Sequence, residues 1–185
     1  VDSASSENEN FREFTDAIFR DNVSGDILSL HTILQHPENY GITNYEKTLG
    51  RYNLDNPTDS SDISDCLTQL NSFDKNSLSK DQQIAYELLK KYLETKLEYC
   101  DLFLLDTDLS TTIGIQVQLP IIFAEYTFNE VKDIDEYLCA VEDTDEFFEN
   151  LIEYEKMRSE KGYFMETSLA EEIIEQCNTF IDSAD

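Results

Sequence analysis

Apolar residues recur at helical spacing along almost the whole of this sequence. The clearest stretch covers about residues 79–105, where spacings of 4, 4, 3 and 4 separate Leu89, Leu93, Leu97, Cys100 and Leu104. Such spacing places the side chains on one face of a helix. A second stripe widens that face and consists of Ile84, Leu88 and Tyr92. We therefore expect this long helix to pack against two neighbouring helices rather than one.

Similar stripes along the chain predict about seven or eight helices, and therefore an all-α, multi-helix bundle. Capping-box spacing from Asn10 to Glu13 predicts the start of the first helix. The last predicted helix turns five residues inward, namely Ile173, Ile174, Cys177, Phe180 and Ile181. Residues 37–57 are predicted to form an ordered loop, and residues 106–120, which include several β-branched residues, interrupt the helices again. We expect at most one short extended or β segment, near 111–118, before Pro120 starts the next helix.

The length of 185 residues allows one domain. Residues 1–10 are small, polar and acidic, which predicts a disordered acidic tail ahead of a single helical domain at 11–185. The final residues follow directly on a strong helical pattern. We interpret the chain as the amino-terminal fragment of a longer protein.

The chain is strongly acidic, with 40 Asp and Glu residues against 13 Lys and Arg residues and a formal net charge of −27. So few basic residues argue against binding to nucleic acid, which needs clustered positive charge at the phosphates. The same shortage argues against binding to an anionic membrane surface. No apolar run is long enough to predict a transmembrane segment.

No catalytic or metal-binding motif is present in the sequence. It has only two histidines and no H-E-x-x-H pattern, so we expect no catalytic residue, metal site or cofactor in this chain. His31 lies on an apolar helix face, which predicts a packed, hydrogen-bonded histidine rather than a metal ligand. The four cysteines form no C-x-x-C pair. Buried free thiols are the favoured interpretation, although their even number also permits disulfides.

The segment that packing explains least is Gly114–Pro120, in which two glutamines alternate with apolar residues. In an extended arm, Gln116 and Gln118 would share one face. Their amides could then pair with a peptide backbone or a neighbouring strand. The alternative is that both amides pair within this chain.

Several stretches of the sequence together resemble one family. They are Phe11–Asp16 with Ile18–Asp21, Leu30–Leu34 with Pro37–Gly41, Gly114–Pro120 leading into Phe123–Tyr126, and Tyr154–Lys156 with Gly162–Met165. This resembles the amino-terminal part of the bacterial domain-of-unknown-function family 885. Members of that family are long, largely α-helical proteins and often exported lipoproteins. Their distal half carries a His-Glu…His zinc-type motif, which implies a metallopeptidase-like hydrolase.

The resemblance implies a role for this chain without catalytic residues of its own, because the zinc motif would lie beyond Asp185. It implies an exported bacterial protein of the cell envelope or extracellular space. The chain would then be one wall of a peptide-binding cleft, with Gln116 and Gln118 as candidate substrate contacts. Its partners would be its own downstream catalytic half, where zinc could bind, and a peptide substrate. The alternative is a stand-alone acidic helical module for protein interactions at the bacterial cell surface.

Overall fold

The computed structural model describes residues 2–183, with side chains from residue 6 onward. This part contains eight α-helices and no β-strand, which confirms the predicted all-α bundle. The α-helices are α1 (Asp2–Val23), α2 (Ile27–Ile33), α3 (Ser61–Asn71), α4 (Lys80–Tyr99), α5 (Ile115–Ala124), α6 (Lys132–Glu142), α7 (Thr144–Glu160) and α8 (Thr167–Asp182). Short 3-10 helices occupy Pro37–Tyr40, Lys75–Ser77 and Cys100–Leu105. None of the helices described is long and apolar enough to cross a membrane.

One apolar core joins α1 to the antiparallel pair α3 and α4. Phe11 and Phe14 of α1 are buried against Leu70 of α3 and against Tyr86 and Leu93 of α4. Helix α4 begins at the capping box that its sequence predicts, in which Ser79 and Gln82 bond each other's backbone N–H groups. Burial of these large side chains holds α1, α3 and α4 together.

Two further cores involve the other helices. The first packs α2 against α5 and α6 and contains the fully buried Leu30, Leu119 and Ala140. The second forms around Tyr154 of α7, whose ring stacks on Tyr52 at 4.2 Å between centroids. The α2–α5–α6 core brings the candidate site residues together.

The first helix begins earlier than its sequence predicts. Helix α1 runs from Asp2, so residues 2–10 are helical where we expected a disordered tail. Asn8 explains this difference, because it bonds the turn that precedes α4: its side chain donates to the Ser77 carbonyl at 3.1 Å and accepts from the Ser79 N–H at 2.8 Å. These contacts between distant segments extend the helix past the capping-box residue Asn10.

Two predicted apolar faces are exposed instead of buried. On α4, the second stripe is 60%, 67% and 46% exposed at Ile84, Leu88 and Tyr92, so α1 and α3, which both pack against α4, leave this stripe largely uncovered. On α8 only Ile173 is buried and Cys177 is half-buried, which makes the prediction wrong for Ile174, Phe180 and Ile181. Helix α8 packs mainly on α5, and one neighbour covers only a narrow strip of an amphipathic helix.

The segment around 111–118 is also different from the prediction. Helix α5 begins at Ile115, capped by Gly114, and Pro120 lies inside it rather than at its start. The Ile115 N–H donates to the Asp108 carbonyl at 2.7 Å, which closes the preceding loop. Gln116 and Gln118 are therefore about 200° apart around a helix and do not share a face. The segment therefore forms no extended arm, which agrees with the expectation of at most one short extended or β segment, whereas the prediction that Pro120 starts the helix is wrong.

Candidate functional site

Side chains from α2 and α6 form a compact cluster of one imidazole and two carboxylates. One ligand atom each from His31, Asp133 and Glu136 lies within 4.8 Å of the others. Asp133 is 3% exposed and Glu136 is 5% exposed, while His31 is half-buried. The i,i+3 spacing of the two acids places both carboxylates on the face of α6 that meets α2.

Hydrogen bonds hold each member of this cluster in place. Asp133 Oδ2 accepts the N–H groups of Asn129 and Glu130, at 2.6 and 2.8 Å. Glu136 Oε1 accepts the phenol of Tyr45 at 2.6 Å. Burial, followed by this bond to Glu136, raises the pKa of Tyr45 well above its usual range. The phenol therefore stays protonated and remains a donor.

The imidazole of His31 is fixed by a carbonyl and an aromatic ring. Its Nε2 lies 2.8 Å from the carbonyl oxygen of Thr127, and its ring stacks on Tyr126 at 3.9 Å between centroids. A carbonyl oxygen only accepts, so Nε2 carries a proton. His31 is thus a packed, hydrogen-bonded histidine, as the sequence predicts.

Tyr126 completes the cluster and has one unusual atom. Its hydroxyl is buried and has no hydrogen-bond partner among the residues that the structure describes. Burial, with the nearby Asp133 and Glu136, raises the pKa of Tyr126 far above its usual range. An unpaired buried hydroxyl is costly, because it has lost water without gaining a replacement partner. His31 and Tyr126 also line a surface cavity of about 540 Å³.

A second group of ionisable residues lies next to the first, but at the surface. His36 Nδ1 is 3.2 Å from Glu38 and 3.1 Å from Glu130, and Lys132 pairs with both carboxylates at 3.2 Å. The two glutamates are exposed and already have a lysine as counter-charge. Exposed ion pairs of this kind contribute little binding or stability.

An apolar groove of about 710 Å³ runs along α5 between α6, α7 and α8. Its lining is mostly large and apolar and includes Leu119, Pro120, Phe123, Tyr137, Val141, Phe148, Phe180 and Ile181. Thr144, Asp145 and Gln116 add the polar groups. Apolar concave surfaces with a few polar groups are typical ligand-binding sites.

In a comparison with protein families, residues 40–185 match the model described as "Bacterial protein of unknown function (DUF885)". This chain belongs to that family. The match covers well over half of the chain and confirms the predicted family. It begins at Tyr40, so the stretches between Phe11 and Leu34 that suggested the resemblance lie outside it. No curated protein and no solved structure gives a match.

Of the two glutamines that the DUF885 resemblance suggested, the structure brings Gln116 to the groove. Its Nε2 donates to the Ser110 carbonyl at 2.6 Å and to the Gln176 side chain at 3.0 Å, so this amide pairs within the chain. Its Oε1 is buried without a partner, against the backbone of Gly114. Gln118 is half-buried on another side of α5. The two therefore do not form one contact surface.

The sequence did not identify the two carboxylates of the buried cluster as candidate site residues. Asp133 and Glu136 are two of 40 acids, and nothing in their spacing separates them from the exposed pairs. Their burial against His31 depends on how α2 meets α6, about 100 residues later in the chain. The cysteines, in contrast, are free thiols as favoured, although all four are half-buried rather than buried.

Proposed function

We propose that this chain is the non-catalytic, amino-terminal helical part of an exported, zinc metallopeptidase-like protein of the DUF885 family. In this proposal it forms one wall of a cleft that binds an extended peptide. The catalytic zinc and a general base would belong to the downstream part of the protein. The isolated chain would supply shape and apolar contacts to the substrate, but no bond-breaking group.

The apolar groove between α5 and α8 is the observation that carries this proposal. Ile181 is 66% exposed and Phe180 is 56% exposed at its edge, although both lie on a strongly apolar helix face. Apolar side chains grouped around a groove usually mark a binding surface. Either the substrate or the downstream half would cover these residues in the complete protein.

The charge of the chain supports a preference among peptides. With a net charge of −27 and Asp145 in the groove lining, the surface attracts cationic segments and repels acidic ones. We therefore expect the groove to favour peptides that combine apolar residues with Lys or Arg. Screening by salt should weaken this preference.

A binding assay tests the groove directly. The probe is a fluorescein-labelled, unstructured peptide containing Leu, Phe and Lys, and fluorescence anisotropy reports its binding to the purified chain. Replacing Ile181 with Glu puts a charge into the apolar contact and should raise the Kd at least about tenfold, or about 1.4 kcal/mol. Ile84→Glu on α4 is the matched control, because Ile84 is similarly exposed, at 60%, and does not line the groove.

The binding assay and a cleavage assay could each contradict the proposal. In the binding assay, the contradicting results are an absence of saturable binding by the unaltered chain and an equal loss of affinity in the Ile84→Glu control. In the cleavage assay, the contradicting result is cleavage of the peptide by the isolated chain, which mass spectrometry of the incubated peptide would detect. The proposal expects the peptide to be recovered intact, whether or not zinc is added.

The stand-alone interaction module is the second candidate, and the acidity of the chain is what favours it. The reading frame downstream of codon 185 distinguishes the two functions. A frame that continues into a His-Glu…His motif supports the cleft wall. A stop codon at that position supports the stand-alone module.

A further inference from the structure

The buried cluster contains two carboxylates that pair with no Lys or Arg among the described residues. Asp133 and Glu136 are each more than nine-tenths buried, and the structure pairs them with two backbone N–H groups and one phenol. Among residues 6–183 no Lys or Arg side chain forms an ion pair with either of them. Carboxylates taken out of water need a positive counter-charge close by.

The hydrogen bond of His31 leaves one ring nitrogen available to a metal ion. In the neutral ring the proton on Nε2 bonds the Thr127 carbonyl, which leaves the lone pair on Nδ1. Histidines that bind metals usually donate their other ring N–H to a carbonyl or carboxylate in this way. The stacked ring of Tyr126 limits rotation of the imidazole further. Similarly, the bond from Tyr45 orients the carboxylate of Glu136.

We propose that His31, Asp133 and Glu136 bind one divalent first-row transition-metal ion, with Zn²⁺ as the representative. An imidazole nitrogen with two carboxylates is a donor set for such ions, whereas Ca²⁺ and Mg²⁺ take oxygen ligands. The ion neutralises the two buried negative charges. Three protein ligands would leave a position for water, and the buried hydroxyl of Tyr126, which has no hydrogen-bond partner among the described residues, would be available to bond that water.

The consequence of this site would be structural. It joins α2, which precedes the region matched to the family, to α6 within that region. Metal binding to the folded chain would therefore fasten the two helices together and raise the stability of the α2–α5–α6 core. None of the three proposed ligands lines the groove. It replaces the sequence-based expectation that this chain binds no metal.

The test uses the whole 185-residue chain, stripped of metals with a chelator. The four thiols are alkylated first, because cysteines would compete for zinc. An excess of Mg²⁺ occupies the exposed carboxylates during a calorimetric titration with Zn²⁺. The expected result is uptake of one Zn²⁺ per chain together with a rise in Tm.

Nitrogen-15 NMR of the histidine rings identifies the ligand without any mutation. The chain has only two histidines, and the proposal expects Zn²⁺ to shift the ring nitrogens of His31 and leave those of His36 in place. His36 is a strict internal control, because it lies in the exposed cluster with Glu38 and Glu130.

Conservative variants test the carboxylates. Glu136→Gln keeps an acceptor for the phenol of Tyr45, and Asp133→Asn keeps one for the two backbone N–H groups, so circular dichroism should show an intact fold. Each should weaken Zn²⁺ binding at least about tenfold. Glu38→Gln, in the exposed cluster, should leave the affinity unchanged.

The proposal is overturned if no stoichiometric Zn²⁺ uptake occurs, or if the NMR shifts appear at His36. It is also overturned if Glu38→Gln weakens binding as much as Glu136→Gln. None of these results bears on peptide binding in the groove, so this inference and the proposed function fail independently.

Discussion

Helix α7 carries two ion pairs with the same spacing and opposite exposure, and together they make a controlled test of electrostatic stabilisation. The Glu155–Arg158 pair is buried, with side chains 8% and 3% exposed. The Glu153–Lys156 pair has side chains that are 58% and 62% exposed. Both are i,i+3 pairs between glutamate and a basic residue. We expect their removal to have very different effects on the free energy of unfolding.

The structure sets the magnitude for the buried pair. Arg158 donates to both carboxylate oxygens of Glu155 at 2.7 and 3.0 Å, to the Leu104 carbonyl at 3.0 Å and to the Tyr163 carbonyl at 3.2 Å. Arg158→Met keeps an apolar side chain of similar length but leaves a buried carboxylate without a cation and two carbonyls without this donor. Breaking a buried pair in this way costs about 3–5 kcal/mol. For a chain of this size that corresponds to a fall in Tm of about 6–20 °C.

Urea unfolding followed by far-ultraviolet circular dichroism measures the effect. Lys156→Met is the control and should change the stability by no more than about 0.5 kcal/mol, because an exposed pair is weak. Adding Glu155→Gln to Arg158→Met should recover part of the loss, since it removes the unpaired charge. A loss below about 1 kcal/mol in Arg158→Met, or a loss equal to that of the control, would refute this reasoning.

Two further predictions concern the loops beside the site. Gly114→Ala should destabilise the chain by about 1–3 kcal/mol, because the added Cβ would lie 2.1 Å from the Gln116 side chain and 2.3 Å from the Ser110 nitrogen. Gly25→Ala is the control, since the nearest atom to its added Cβ is 3.7 Å away. Equal urea midpoints for the two variants would contradict the prediction. Burial alone would raise the pKa of Asp143, but hydrogen bonds from Arg51 and the Leu49 N–H lower it overall. Its stabilisation is therefore complete above the pKa of the unfolded chain and is lost as the pH falls through the lower folded value. Asp143→Asn should make stability less dependent on pH in the acid range, and an unchanged acid slope in urea unfolding would argue against this.

The helical class and the helix starts nearest the strong capping signals were predictable from local chemistry. The capping box at Ser79 and Gln82 forms as its spacing indicates, because both partners lie within one turn. The same signal at Asn10 is misleading, since Asn8 bonds a turn about 70 residues away and continues the helix towards the amino terminus. A local signal sets a helix end only where no distant contact competes with it.

The candidate site shows a similar limit. The sequence predicts a packed, hydrogen-bonded His31, and the apolar face of α2 alone is sufficient for that. It cannot identify Asp133 and Glu136 as neighbours of His31, because those contacts depend on the packing of α6 against α2. The sequence also cannot show that the Gln116 side chain pairs with Ser110 and Gln176, since these contacts depend on a helix forming where the sequence also allowed an extended arm.

Periodicity predicted an all-α protein, the composition showed that it is acidic, and the resemblance of several stretches identified its family, because all three are properties of the sequence itself. Which apolar stripes are covered depends instead on where the neighbouring helices pack. That is why Leu93 is buried and Leu88, on the second stripe of the same helix, is exposed. The meeting of a histidine with two buried carboxylates was likewise decided by tertiary packing, since only the folded chain removes those charges from water.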